Sequence, residues 1–219
     1  MTKSRLMLVA ALAVVAVLAA WFVTKPGQTD IAGAAFAQDV SDVDTSGVME
    51  MVQGAEDAPV TLIEYASFTC PHCANFHATV YPELKADYIE TGKVRFIHRE
   101  VYFDRYGLWA GIVARCGEGA AYFSIIDMIY AEQRNWTRAG DAAAIVDALR
   151  TIGKTAGLTD GQLDACLSDA DHAEALYATF VKNAEEDGVN STPTLFVNGT
   201  KHANMNYADL SKLLDDAAE

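Results

Sequence analysis

The chain has 219 residues, of which 51% are hydrophobic and 10% aromatic, so it is long and apolar enough to fold around a core and is not intrinsically disordered. Its 16 basic and 30 acidic side chains give a formal net charge of −14, and the phosphates of a nucleic acid would repel so acidic a chain. Four cysteines are too sparse for a small disulfide-stapled scaffold, but two of them are separated by only two residues.

The first 37 residues predict export of the rest of the chain. Lys3 and Arg5 precede an uncharged apolar run of 18 residues, 6–23, which is typical of a secretory signal peptide or an uncleaved membrane anchor. The length of the run favours an anchor, whereas the Ala-Phe-Ala sequence at 35–37 has the form of a cleavage site. Residues 1–37 are therefore interpreted as a signal peptide or a membrane anchor, and both alternatives stay open.

Export would place the remainder in the periplasm or another extracytoplasmic compartment, either soluble or tethered by the anchor. Without residues 1–37 the chain has 13 basic and 29 acidic side chains, a formal charge of −16. Such a compartment is oxidising, so disulfide bonds that form there persist.

The folded domain is expected to occupy residues 54–219. Residues 38–53 before it are predicted to be a linker with a possible first strand at Val48–Val52. The run Val60–Ala66 is apolar, β-branched and aromatic, which predicts a buried strand.

A helix, a second strand and a block of helices should follow that strand. The helix is expected over residues 70–90 with a kink at Pro82, because proline cannot donate the backbone hydrogen bond of a helix. Lys93–Val101 alternates between polar and apolar residues and predicts a strand. Residues from about 104 to 187 have helical periodicity, with Asp141 and Thr159 as predicted N-caps.

The C-terminal part returns to strand and helix. Residues 191–197 predict a strand that ends in an Asn-Gly hairpin turn, and Asn206 can cap a last helix. Since the sheet needs strands from both sides of the helical block, the sequence predicts one α/β domain with a helical insertion rather than two independent domains.

Cys70-Pro71-His72-Cys73 is the motif that carries chemistry. It follows a predicted strand and opens a predicted helix, so the two cysteines are close enough to form a disulfide. Unpaired N–H groups at the helix N-terminus would favour the thiolate of Cys70, and His72 can add a further donor or a positive charge. A stabilised thiolate favours the dithiol form, which makes the disulfide a strong electron acceptor.

Two other interpretations of the pair are weaker. A zinc site would need a second pair of ligands, and His77 would add only one, so no metal site is predicted. A purely structural disulfide usually closes a longer loop, where it stabilises more.

These residues resemble the thioredoxin superfamily and, more closely, the DsbA-like disulfide oxidoreductases. The resemblance covers residues from about 54 to the C-terminus and rests on four features. They are the segment Asp57–Glu64 before the motif, the Cys-Pro-His-Cys sequence itself, the long helical insertion, and Thr192-Pro193 opening a late strand. The resemblance implies an α/β thioredoxin fold with a helical insertion domain.

The resemblance also implies roles for individual residues. Cys70 would be the exposed nucleophile and Cys73 the buried resolving thiol. Pro193 would be a cis-proline facing them, and the backbone of Thr192 would pair with a bound peptide. Glu64, six residues before Cys70, would lie beneath the site and assist proton transfer to the buried thiol; the alternative is a glutamate at a strand end that reaches solvent.

The remaining cysteines, the aromatic residues near the motif and the other histidines carry weaker signals. Cys116 and Cys166 lie in the helical block, where an exported protein would use them as a structural disulfide; free thiols or a second redox relay are the alternatives. The aromatic residues Tyr65, Phe68 and Phe76 could line a peptide groove or belong to the core. His98, His172 and His202 are scattered along the chain and are interpreted as surface or core residues.

The sequence thus predicts an exported thiol:disulfide oxidoreductase that introduces disulfides into folding proteins with free thiols. No cofactor is required, and the resemblance implies reoxidation by a membrane partner of the DsbB type. The short segment before the first strong strand leaves no room for the dimerisation domain of the related isomerases, which favours a monomer. The rival hypotheses are a thioredoxin-like reductase, for example in cytochrome maturation, and a non-catalytic peptide-binding chaperone.

Overall fold

The computed structural model describes residues 40–219, so the predicted signal peptide or anchor at 1–37 lies outside the described residues. Within the described part, no helix is both long and apolar enough to cross a membrane.

Five strands form one mixed sheet in the order β1-β3-β2-β4-β5. β2 and β3 are parallel, and the other neighbouring pairs are antiparallel. The strands are β1 (Met51–Gln53), β2 (Val60–Ala66), β3 (Val94–Glu100), β4 (Thr194–Val197) and β5 (Thr200–Ala203). β2 pairs with β4 across the whole helical block, so the prediction of one sheet built from both sides of an insertion is confirmed. The first strand lies later than the predicted Val48–Val52.

The helices lie mainly between β3 and β4. α1 (Pro71–Thr79), α2 (Tyr81–Leu84) and a π-helical turn (Lys85–Ile89) connect β2 to β3. The insertion contains α3 (Arg105–Arg115), α4 (Tyr122–Ala131), α5 (Gln133–Trp136), α6 (Ala142–Thr155), α7 (Asp160–Ser168) and α8 (Ala170–Glu186). The last helix is α9 (Tyr207–Ala217).

The first helix breaks earlier than predicted. The sequence predicts a single helix over 70–90 with a kink at Pro82, but α1 ends at Thr79, and Val80 separates α1 from α2 while its backbone stays in the right-handed helical region with φ −116° and ψ −50°. Pro82 cannot donate to the carbonyl of Ala78, one turn earlier, so the interruption falls before the proline.

The predicted helix caps are confirmed. The Asp141 carboxylate accepts from the N–H of Ala144, and Thr159 forms a capping box with Gln162. Asn206 caps α9 by accepting from the N–H of Asp209.

The faces of the sheet decide where the site lies. Leu62 and Phe96 belong to the apolar cluster that β2 and β3 share with α1, α2 and α9. Glu64 and His98 pair across the parallel strands, two residues beyond Leu62 and Phe96. Since side chains alternate along a strand, Glu64 and His98 point to the same face, towards α1. Tyr65 on the opposite face packs with the cluster that reaches α8.

Candidate active site

Cys70 lies at the end of the segment that connects β2 to α1. Ser67–Thr69 form the connection, Cys70 is the N-cap residue of α1 with φ −81° and ψ 120°, and Pro71 occupies the first turn. Proline fits there because the N–H groups of the first turn have no helical partner. The Cys70 thiol is half-buried, Cys73 is fully buried, and both are free thiols in the structure.

The surroundings of Cys70 stabilise its thiolate. A hydrogen bond from the Cys73 side chain, opposed by partial burial, lowers the pKa of Cys70 to about 5, and the Thr192 side chain and the backbone N–H groups of Cys73 and His72 add to this effect. These N–H groups belong to the first turn of α1, where they point at the sulfur.

The environment of Cys73 raises the pKa of its thiol, whereas that of Cys70 lowers it. Burial raises the pKa of the Cys73 thiol far above its ordinary value, and the hydrogen bond to Cys70 and the nearby charge of Glu64 raise it further. A thiol with such a pKa stays protonated at neutral pH. The two sulfurs of one motif therefore have opposite chemistry, one a stable thiolate and the other an obligate thiol.

His72 stabilises the Cys70 thiolate through its backbone N–H, and its side chain is exposed. A contribution of its imidazole stays a prediction.

The segment before β4 lies directly against the reactive sulfur. The Cys70 sulfur lies 3.5 Å from the carbonyl oxygen of Thr192, to which it donates when it is protonated. The Thr192–Pro193 peptide bond is cis. The structure thus brings the predicted substrate-binding residues, Thr192 and Pro193, to the predicted nucleophile.

Two polar residues of the helical insertion hold the loop before Cys70. Gln133, which is buried, donates from its amide nitrogen to the carbonyl of Phe68 at 2.8 Å and to the carbonyl of Cys70 at 2.9 Å. Asp104 accepts a hydrogen bond of 2.8 Å from the hydroxyl of Thr69, and its other oxygen caps α3. Sequence reasoning missed both residues, because a lone Gln or Asp far along the chain carries no motif.

Glu64 lies beneath the cysteine pair and is fully buried, so the alternative of a glutamate that reaches solvent is wrong. Its Oε2 atom is 3.0 Å from Nε2 of His77, whose side chain is also buried. Among the described residues, Oε1 of Glu64 and Nδ1 of His77 have no hydrogen-bond partner. The sequence offered a weak signal for this pair, because His77 lies four residues after Cys73 and therefore on the same face of α1.

A second buried network runs through His98. Arg115 donates two hydrogen bonds of 2.6 Å to Glu100, whose Oε1 also accepts from the Tyr122 hydroxyl at 2.8 Å. The Tyr122 oxygen can then accept from Nδ1–H of His98, 2.8 Å away. Burial lowers the pKa of His98 to about 4, so the ring is neutral. Its Nε2 is left to accept from the hydroxyl of Tyr130 at 3.3 Å.

The structure decides three further sequence-based alternatives. Tyr65, Phe68 and Phe76 are buried core residues, so they do not line a peptide groove. Cys116 and Cys166 form a disulfide that joins the end of α3 to α7. His98 is a core residue, whereas His172 and His202 are partly exposed.

Among residues 40–219, one group has the composition of a cation site: the ligand atoms of Glu64, His77 and His98 lie within 4.8 Å of one another. Both nitrogens of His98 face tyrosine hydroxyls, and His77 faces Glu64. Each of the three side chains therefore already has a hydrogen-bond partner, and we assign no metal to the group.

A sequence profile of the thioredoxin family matches residues 46–216. The chain belongs to the thioredoxin family. The matched range includes the whole sheet, the cysteine pair and the helical insertion.

Curated relatives of this thioredoxin-family chain include putative protein-disulfide oxidoreductases of Rickettsia. That of Rickettsia bellii is 35% identical over 173 residues, which are 78% of this chain and 65% of the relative. A probable disulfide bond formation protein D of Bacillus cereus is 28% identical, over 74% of this chain and 76% of its own length. The chain spans 60% to 65% of the length of the five Rickettsia relatives.

Solved structures place this thioredoxin-family chain in a DsbA-like fold. Wolbachia pipientis alpha-DsbA1 superposes with a TM-score of 0.70 at 24% identity, over 77% of this chain and 90% of the other. Oxidised BdbD of Bacillus subtilis superposes with a TM-score of 0.68 at 19% identity, over 77% and 92% of the two chains. The predicted thioredoxin fold with a helical insertion is thereby confirmed.

Proposed function

We propose that this chain is an exported protein-disulfide oxidoreductase that introduces disulfides into folding proteins through Cys70 and Cys73. The names of the Rickettsia and Bacillus relatives support thiol–disulfide chemistry. The oxidising direction rests on one observation, the contrast between the lowered pKa of Cys70 and the raised pKa of Cys73.

That contrast favours the reduced form of the pair. Reduction of the disulfide releases one sulfur as a thiolate, and this charge is stabilised at Cys70 by donors that have no comparable role when the sulfur is bonded. A more stable dithiol makes the disulfide a stronger oxidant. The half-buried position of Cys70 leaves it open to attack, whereas Cys73 is shielded.

The reaction has two exchange steps. A substrate thiolate attacks the sulfur of Cys70, a mixed disulfide forms, the Cys70–Cys73 bond breaks, and Cys73 leaves as a thiolate that takes up a proton. A second substrate thiolate then attacks the substrate sulfur of the mixed disulfide and releases Cys70 as a thiolate. Two electrons thereby pass from the substrate to the enzyme, and the substrate gains one disulfide.

The neighbouring residues have distinct parts in this scheme. The Thr192 backbone, beside the reactive sulfur, pairs with the substrate peptide next to Pro193. Pro71 starts α1 and His72 supplies an N–H group to the thiolate. Glu64 provides the proton for Cys73. No cofactor takes part.

We further propose that the chain acts as a monomer in the periplasm or an equivalent compartment, with residues 1–37 as signal peptide or anchor and residues 54–219 as the working domain. The Cys116–Cys166 disulfide supports an oxidising location. A membrane protein of the DsbB type would return the pair to the disulfide form.

A glutathione redox titration of the purified chain tests the direction of the reaction. The redox state of Cys70 and Cys73 is followed by alkylation and mass spectrometry, with Cys70→Ser as the control. We expect a potential well above the value of about −270 mV for thioredoxin, towards the value of about −120 mV for DsbA.

Two outcomes would overturn the proposal. A potential near or below that of thioredoxin would make the chain a reductase. Full activity of Cys70→Ser in the refolding of a reduced substrate would make it a chaperone without redox function.

A further inference from the structure

Glu64 has no access of its own to water. Its side chain on β2, between β3 and β4, is fully buried, and one of its carboxylate oxygens has no hydrogen-bond partner within residues 40–219. A residue that supplies a proton to Cys73 at each turnover must itself regain one, so a route from Glu64 to the surface is needed.

His77 is the residue that lies between Glu64 and the solvent. On one side its Nε2 is 3.0 Å from Oε2 of Glu64. On the other side its ring lines an open cavity of about 450 Å³ between the first helices and α4, together with Lys85, Asp127 and Tyr130. Asp127 at this cavity is exposed, so the cavity communicates with the surface.

The ring of His77 is held in place by its neighbours. It stacks on Tyr130 with ring centroids 4.1 Å apart, and Tyr81 packs against it at 4.8 Å. Its Nδ1 atom is itself buried and has no hydrogen-bond partner among the described residues, so it is uncommitted and can exchange a proton with a water molecule that enters from the cavity. A fixed ring with one nitrogen on Glu64 and one uncommitted is the arrangement that proton transfer requires.

His98 does not offer a competing route. It also lies next to Glu64, but both of its nitrogens face tyrosine hydroxyls, and the chain of donors from Tyr122 to Glu100 fixes its tautomer. A proton on His98 would have to pass through the buried ion pair of Glu100 and Arg115 rather than to water.

We propose that His77 carries the proton between Glu64 and solvent during the reaction. This inference rests on the proposed function. When Cys73 leaves as a thiolate, Glu64 gives it a proton and becomes a carboxylate. The Nε2–H of His77 then reprotonates Oε2, and Nδ1 takes a proton from a water molecule that enters from the cavity. Reoxidation of the cysteine pair reverses these transfers and returns the proton of Cys73 to solvent. Over a full cycle the protein therefore neither gains nor loses a proton.

The pH dependence of this transfer reflects all the groups around the ring. Glu64 on β2 faces the ring of His77. His98 on β3 also faces it, with the centroids of the two histidine rings 5.7 Å apart. Tyr130 and Asp127 face it from α4, Tyr81 from α2, and Lys85 and Glu90 line the same cavity from the π-helical turn and its end.

Three variants at one position test the proposal. His77→Gln keeps a hydrogen-bond donor for Glu64 but cannot accept and release a proton, His77→Phe fills the site, and His77→Ala opens it to the cavity. The full chain is oxidised, mixed with a dithiol peptide, and the single-turnover rate is measured. We expect each variant to be slower by roughly 10- to 100-fold, the lower range of general acid–base effects.

Chemical rescue separates proton transfer from a structural effect. Added imidazole can enter the space left in His77→Ala but not in His77→Phe, so it should restore the rate of His77→Ala alone. The solvent isotope effect on the single turnover should rise in His77→Gln, where proton delivery becomes limiting. The thiolate titration of Cys70 serves as the folding control and should stay unchanged.

The outcomes distinguish the two proposals. If the wild-type chain fails to oxidise the peptide, the proposed function is wrong. If the wild type is active and His77→Gln is equally fast, His77 carries no proton. A slow His77→Gln without an isotope effect, or equal imidazole responses in His77→Ala and His77→Phe, would show a structural role instead.

Discussion

The sulfur of Cys70 lies 3.5 Å from the carbonyl oxygen of Thr192, although 122 positions separate the two residues in the chain. Thr192 comes directly before β4, and β4 pairs with β2, whose end leads into Cys70. The sheet therefore joins the segments on either side of the helical insertion at the reactive thiol. The insertion in turn supplies Gln133, which holds the same loop from the other side.

The thiolate of Cys70 should be visible at neutral pH. Because the pKa of Cys70 is lowered to about 5, the absorbance of the reduced chain at 240 nm should titrate with a midpoint near that value. Cys70→Ser should lose the transition. A midpoint near about 8.5, the ordinary thiol value, would contradict the stabilisation of the thiolate.

The same lowered pKa predicts how the stability of the reduced chain changes with pH. A group whose pKa is lower in the folded state adds stability that is complete above its unfolded pKa and is lost as pH falls through the folded pKa. The free energy of unfolding of the reduced wild type, relative to Cys70→Ser, should therefore decrease from pH 8 to pH 5 in urea titrations. If the difference in the free energy of unfolding between the wild type and Cys70→Ser did not change with pH, this prediction would be wrong.

The buried ion pair of Glu100 and Arg115 should be costly to break. Both side chains are 6% exposed, so Arg115→Met would leave a buried carboxylate without its partner. We expect a loss of about 3–5 kcal/mol in the free energy of unfolding, measured in urea at pH 7. In the double variant Glu100→Gln/Arg115→Met the loss should be smaller, because no uncompensated charge remains; equal losses would contradict this account.

The pair also predicts sensitivity to acid. Burial by itself would raise the pKa of Glu100, but the charge and the hydrogen bonds of Arg115 hold this pKa below its ordinary value. The resulting stability is present above the unfolded pKa of about 4.3 and is lost as pH falls below it. Glu100→Gln should therefore show a flatter decline in stability between pH 5 and pH 3 than the wild type.

The Cys116–Cys166 disulfide should stabilise the fold without taking part in exchange. It closes a segment of 50 residues, which restricts the unfolded chain. Replacement of both cysteines by alanine should lower the free energy of unfolding by about 2–4 kcal/mol. The Cys70 titration midpoint should not move, and a shifted midpoint would instead indicate that the disulfide tunes the site.

Gln133 should matter for the shielding of Cys73. Gln133→Leu removes the donor for the carbonyls of Phe68 and Cys70, and an unsatisfied buried group costs roughly 1–3 kcal/mol. We expect the loop to open more often and iodoacetamide to modify Cys73 faster in the reduced variant. As a control, Arg134→Ala changes the exposed neighbouring residue of α5 and should leave the alkylation rate as in the wild type.

Local features of the fold were predictable because short-range chemistry determines them. The strand Val60–Ala66, the caps at Asp141, Thr159 and Asn206, and the Asn-Gly turn each depend on a few adjacent residues. The interruption falls at Val80, two residues before the predicted kink at Pro82, because the proline removes a hydrogen bond that would reach back to Ala78.

The sequence by itself determined the Cys-x-x-Cys motif, its position between a strand and a helix, and the fold class. It could not determine which buried groups face one another, because these contacts depend on packing between segments far apart in the chain. Only the tertiary structure places His77 on Glu64, Gln133 on the Cys70 loop, and Arg115 on Glu100. Most polar groups in a buried site pair with another group, and the packing of the sheet and the helical insertion determines which partner each one contacts.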